Sequence, residues 1–217
     1  MINQVKEELQ LLEKEFSVNN YRGVSGAPDY VYVEGTENCN ILLSVPHCLR
    51  QIRDGDIKKQ EEFTGAMGKY IAKKTGCHLI HKMNMFGDAN YDEEEKSEYK
   101  RKVREIIEDK SIRFFIDIHG MPNIRNIDIC IATDDGNNIN NTDLDFRLIN
   151  ILKQHFPSVS LDDPFDGRRS TSLVKWVNEE FLIPALQIKF SDNLCHSDDI
   201  AYFTQLMTEF IDYLNKR

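Results

Sequence analysis

Apolar residues recur along this chain in two rhythms, one suited to helices and the other to buried strands. Val5, Leu9, Leu12 and Phe16 fall three or four apart, which predicts an amphipathic helix over residues 3–16. "DYVYVEG" (29–35) alternates with period two, as a half-buried strand does, and "NILLSVP" (40–46) is continuously apolar, the pattern of a strand covered on both faces. A helix is predicted over 61–75, with Phe63, Met67 and Ile71 on one face, acidic residues at its start and Gly76 as its stop. "CHLIHKM" (77–83) then reads as a strand, 92–110 as a helix with an acidic start, and "IRFFIDIHG" (112–120) as a second buried strand. Further on, strands are predicted over 127–133 and 183–191, and helices over 143–156, 170–181 and 198–217.

Strands alternating with helices predict an α/β fold whose mixed, mainly parallel central sheet carries helices on both faces. At 217 residues, with no internal repeat, low-complexity tract or domain-sized linker, the chain is expected to form one domain over 1–217. A net charge of -9 argues against nucleic acid or an anionic membrane as partner and leaves a small molecule as the expected one. The charged N-terminus lacks the apolar core of a signal peptide, and no stretch approaches the ~20 apolar residues a bilayer span needs. Five scattered cysteines, without a C-x-x-C pair, read as reduced thiols of a cytoplasmic protein.

Two core strands end in histidine, "LLSVPH" at His47 and "FFIDIH" at His119. Ligands of open α/β sheets bind beyond the carboxyl ends of the strands, so the two histidines can converge if their strands are neighbours. Alone, a strand-end histidine is ordinarily a hydrogen-bonded structural residue. Two of them beside an acid make a metal site the sharper reading, since a catalytic zinc takes three protein ligands and leaves one position open. Glu61 and Glu62, at the start of the helix after His47, offer the acid. Asp117 precedes His119 by two residues on a strand, hence shares its face and can orient it from behind.

"SVPH", "EEFTG", "GDANYD" and "DIHGM", in that order over roughly residues 40–190, resemble the N-formylglutamate amidohydrolase family, related to zinc carboxypeptidases and aspartoacylase-type deacylases. The resemblance implies a phosphorylase/hydrolase-like three-layer α/β/α sandwich and one Zn²⁺ held by His47, an acid and His119. Glu61 matches the family spacing to Thr64 best; Glu62 stays open because related deacylases place their acid one residue nearer. The implied activity is hydrolysis of an amide bond in a small N-acylated amino acid or peptide-like substrate, with Asn90 contacting the substrate, although read on its own Asn90 is a turn residue.

The chain departs from that family in two places. Cys48 stands where a glycine is usual, either as a ligand or nucleophile or as an inert buried thiol. Lys189, in "LQIKF", stands where related enzymes carry a glutamate base. A lysine takes a proton only if desolvation lowers its pKa, so the base is either elsewhere, such as Glu62, or the chain is a weakened or inactive member that binds a small anionic ligand. A Lys189 facing the pocket is expected to need a carboxylate partner, the non-ligand glutamate of the 61–62 pair or Asp117. Arg168 and Arg169 can clamp a substrate carboxylate, and Arg50 and Arg53 can face an oxyanion; each of these pairs can equally be ordinary surface charge. His78, His81, His155, His196 and Trp176 read as structural.

Overall fold

The computed structural model describes every residue except Met1, Arg125 and Arg217, the last of which ends the final predicted helix. Strands and helices are numbered in chain order. The central sheet has seven strands, in spatial order β1 (Tyr30–Val33), β5 (His78–Lys82), β2 (Ile41–Val45), β6 (Phe114–Met121), β9 (Ala185–Ser191), β7 (Ile129–Ala132) and β8 (Val159–Leu161). β5, β2, β6 and β9 run parallel; β1 and β7 pair antiparallel with β5 and β9, and β8 runs parallel to β7. A short antiparallel hairpin, β3 (Gln51–Arg53) and β4 (Asp56–Lys58), stands apart.

Helices cover both faces. α1 (Ile2–Ser17), α2 (Thr64–Thr75), α4 (Leu144–Leu152) and α7 (Asp199–Asn215) close one face, while α3 (Glu98–Lys110) and α5 (Leu173–Phe181) close the other. A single turn, α6 (Asp192–Cys195), follows β9. The result is a three-layer α/β/α sandwich. On β2, Ile41, Leu43 and Val45 enter the larger core beneath α1, α2 and α7, while Leu42 enters the core beneath α3 and α5. All four are fully buried, each stabilising the fold by about 2 kcal/mol.

The same alternation sorts the polar residues. Ile116 and Ile118 of β6, with Leu186 and Ile188 of β9, face the larger core. Asp117, His119, Gln187 and Lys189 therefore share the opposite face, at the carboxyl ends of neighbouring parallel strands.

The predicted elements are present, most with shorter boundaries, although the first helix is a residue longer at each end than the expected 3–16; two of the differences have local causes. The helix expected over 61–75 begins only at Thr64, because Phe63 adopts the left-handed conformation (φ 63°) and turns Glu61 and Glu62 out of the helix. The helix expected over 92–110 is split: a 3-10 turn over Glu94–Lys96 precedes Ser97, whose side chain accepts the Lys100 N–H and starts α3. β3, β4 and β8 have three residues each, too few for a period to register. All five cysteines are buried and unpaired. Among the described residues no helix is long and apolar enough to cross a membrane.

Candidate metal centre

His47 and His119 converge. Their strands β2 and β6 are hydrogen-bonded neighbours, and the two rings lie edge to face with centroids 4.6 Å apart. Between them stands the Glu61 carboxylate: Oε1 is 2.9 Å from His47 Nδ1, and Oε2 is 2.9 Å from His119 Nδ1. The turn before α2 aims this side chain. The Glu61 N–H donates to the His47 carbonyl (2.9 Å), and the Thr64 hydroxyl donates to the Glu61 carbonyl (2.7 Å). The Gly120 N–H donates to Oε2 at 3.0 Å, and a Cβ on Gly120 would come within 3.0 Å of the Glu61 Cβ, so only glycine admits this approach without a shift.

Each imidazole is backed by a buried carboxylate. His47 Nε2 lies 2.9 Å from Asp88 Oδ1, and His119 Nε2 lies 2.8 Å from Asp117 Oδ2. Arg53, on β3, donates through Nε (2.8 Å) and a second nitrogen to Asp88 Oδ2, and the Gln187 amide donates to Asp117 Oδ2 (3.3 Å). Among the described residues the buried Asp117 Oδ1 atom has no hydrogen-bond partner. The side chains of Asp88, Asp117 and His119 are at most 1% exposed, whereas that of Glu61 is 21% exposed, so the cluster meets solvent on the Glu61 side.

These contacts set the charges. Burial alone would lower the His47 pKa, but the Glu61 and Asp88 carboxylates outweigh it and raise it to about 10. Burial opposes ionisation of Glu61, yet the two histidines hold its pKa well below the usual carboxylate range. Asp88 is held low in the same way by His47 and Arg53.

The donor set fits a divalent metal ion. Ligand atoms of His47, Glu61 and His119 all lie within 4.8 Å of one another. Two imidazole nitrogens and one carboxylate suit a transition metal, and a carboxylate behind each ring fixes the tautomer and raises ligand basicity, as metal-bound histidines require.

Comparison with solved structures places this fold in a known architecture. A gene product of Agrobacterium tumefaciens superposes with a TM-score of 0.66 at 11% identity, covering 88% of this chain and 97% of that one. The N-formylglutamate amidohydrolase of Ralstonia eutropha superposes with a TM-score of 0.64 at 13% identity, covering 88% and 98%. A metallo-carboxypeptidase of Burkholderia cenocepacia gives 0.52 at 12% identity, covering 88% and 67%. The chain has the fold of an N-formylglutamate amidohydrolase. A scan against family models finds no match, and no curated protein matches by sequence.

The other singled-out residues are spread around the cluster. Lys189 stands opposite His119 in the β6–β9 ladder and opposite Cys130 of β7. Its ammonium lies over the Phe165 ring, 4.9 Å from the centroid, and has no ion pair within 4 Å among the described residues. Among the described residues the carboxylate partner expected for it is missing: Glu62, the glutamate that does not bridge the histidines, is turned away to Gln60, and Asp117 is committed to His119. Burial lowers its pKa, and Glu61 and Asp117 only partly offset this. Glu62 accepts from Gln60 Nε2 (3.0 Å), and its charge is felt by Glu13, Tyr21 and Cys195, none of them in the cluster. Cys48 is a buried thiol donating to the Lys82 carbonyl, its pKa pushed up strongly by burial. Arg50 reaches Asn20 Oδ1 (3.0 Å). Arg168 is held by Asp134 and Asp135, both at 2.7 Å. Arg169 is exposed and lies over the Tyr91 ring (4.3 Å), whose centroid is 5.0 Å from Arg53. Asn90 has both ends of its amide engaged within the protein.

Sequence reasoning missed Asp88. Its signal was the "GD" of "GDANYD": Gly87 takes a left-handed φ of 69° and turns the following acid inward.

Proposed function

We propose that this chain is a zinc-dependent hydrolase of a C–N amide bond in a small, anionic N-acylated amino acid or peptide-like substrate. One observation carries the reading: the Glu61 carboxylate sits between Nδ1 of two strand-end histidines, each backed on Nε2 by a buried aspartate. His47, Glu61 and His119 would hold the zinc, which when bound would serve as a Lewis acid toward a carbonyl and lower the pKa of water toward neutrality. Asp88 and Asp117 keep both rings in the tautomer that offers Nδ1, and Arg53 holds Asp88 in place. Arg169 has no carboxylate bonded to it among the described residues and is the guanidinium free to take a substrate carboxylate, while Arg168 is spent on Asp134 and Asp135. Lys189 adds positive charge beside the cluster, which favours an anionic substrate or an oxyanion.

A second reading, a ligand-binding relative without turnover, is favoured by Lys189 as well: the acids at the site, Glu61, Asp88 and Asp117, are all bonded to histidine, so no carboxylate there is spare to accept the proton of water. Elemental analysis followed by turnover assays on formyl- and acetyl-amino acids separates the two. Near-stoichiometric zinc, with turnover that is lost on chelation, supports the hydrolase. Zinc without turnover supports the binder, and a protein that takes up no zinc overturns both.

A further inference from the structure

Asn90 occupies a place that neither the metal ligands nor the substrate-facing arginines account for. Its backbone N–H donates to Asp88 Oδ1 at 3.0 Å, the same oxygen that lies against His47 Nε2. Its side-chain Nδ2 lies 3.3 Å from Asp117 Oδ2 and 3.0 Å from His119 Nε2. One residue therefore touches the acids behind both histidines.

The other half of Asn90 faces a different element. Its Oδ1 accepts the N–H of Leu173, the first residue of α5, at 2.8 Å, and its backbone carbonyl accepts the Thr171 hydroxyl at 3.3 Å. A backbone N–H can only donate, so this contact fixes the amide orientation and obliges Nδ2 to face His119 and Asp117. The segment so held follows directly on Arg169. It is clamped further by the buried Lys100, which donates to the Thr171 carbonyl (2.9 Å), and by Ser172, which donates to the Gly167 carbonyl (3.0 Å).

We propose that Asn90 is a positioning residue that couples the donor geometry of His47 and His119 to the order of the 167–173 loop. The proposal rests on the metal reading above, but Asn90's contact with Asp117, and through it with His119, is measurable without added metal. An ion that fixes the two histidines stiffens Asp88 and Asp117, hence Asn90, hence the start of α5 and the loop that presents Arg169. By linkage, a substrate that orders this loop tightens the metal site in return.

Two variants separate the ends of the bracket. Asn90→Ala removes both. Asn90→Asp, nearly isosteric, keeps an oxygen for the Leu173 N–H and removes the donor to Asp117 Oδ2, the oxygen that holds His119 Nε2. The measurements are the nitrogen-15 shifts of the His119 ring without metal, the Kd for Zn²⁺ by chelator competition, and hydrogen exchange of the 168–173 amides with and without Zn²⁺. In the wild type Zn²⁺ slows exchange of these amides. In Asn90→Ala the Kd rises about tenfold, the Leu173 amide exchanges faster, and Zn²⁺ no longer slows it. In Asn90→Asp the Leu173 amide stays protected while the His119 shifts change. The proposal is overturned if Zn²⁺ still protects the loop in Asn90→Ala, or if the His119 shifts of folded Asn90→Asp match the wild type. A wild-type protein that binds no Zn²⁺ sinks the metal reading and the coupling with it, whereas unaltered His119 shifts sink the role of Asn90 alone.

Discussion

Lys189 lies directly across the β6–β9 ladder from His119, on the same face of the sheet. A cationic side chain thus stands beside a pair of histidines and three carboxylates, Glu61, Asp88 and Asp117, whose charges it feels without a direct ion pair. Replacing it with glutamate supplies an acceptor for the proton of water and adds a fourth negative charge. Lys189→Glu is expected to lower Tm without metal, to recover it on adding Zn²⁺ by more than the wild type does, and to raise kcat/KM on acyl-amino acids. Strong wild-type turnover abolished by Lys189→Glu reverses the assignment and makes the amine itself the working group.

Asp88 is fully buried between His47 and Arg53. Asp88→Asn keeps its shape and removes the charge that fixes the His47 ring, so the affinity for Zn²⁺ is expected to fall by about 10- to 100-fold. Competition with a chromophoric chelator reads this, and an unchanged Kd removes Asp88 from the site.

Arg168 and Arg169 are neighbours in sequence with different tasks. Arg168 is exposed and held by acids, so Arg168→Ala is expected to leave KM unchanged and Tm close to that of the wild type. Arg169→Ala is expected to raise KM for substrates bearing a free carboxylate about tenfold and to leave their amidated counterparts unaffected. Parallel kinetics on the two substrate forms decides it.

Glu13, on α1, is 7% exposed, and burial raises its pKa to about 7 although the Phe63 N–H and the Tyr21 hydroxyl (2.8 Å) oppose the shift. A carboxyl raised in the folded state stabilises the protein fully below its unfolded pKa of about 4.5 and loses that contribution as pH rises through about 7. Glu13→Gln copies the protonated form. It is expected to be close to neutral at pH 5 and to stabilise the protein by about 3 kcal/mol over the wild type at pH 8.5. Denaturant unfolding of both proteins across that range is the measurement, and parallel curves refute it.

Much of the fold was legible because buried parallel strands write continuous apolar runs, and "NILLSVP" and "IRFFIDIHG" do so without ambiguity. The two histidines were legible for the same reason, since each closes such a run. What lay beyond reading was whatever depends on a single backbone angle or on a contact between distant segments. Phe63 at positive φ takes Glu61 out of the helix that its acidic neighbours suggest, and nothing in "EEFT" announces it. Asp88 meets His47 across 41 residues, and Asn90 meets Leu173 across 83; neither pairing leaves a local period. Lys189 was expected to carry a partner on the general rule for buried lysines, which cannot foresee that the nearby acids are already taken.

The sheet order has a consequence for when the centre comes into being. Its parts come from β2, the turn before α2, the 87–90 turn and β6, while the supports on Asp117 and Asn90 arrive with α5 and β9, from residues 173 and 187. A nascent chain halted after β6 already holds every donor atom yet lacks the strand that flanks β6 and the helix that pins Asn90. The finished shape of the cluster therefore depends on contacts supplied by the last third of the polypeptide.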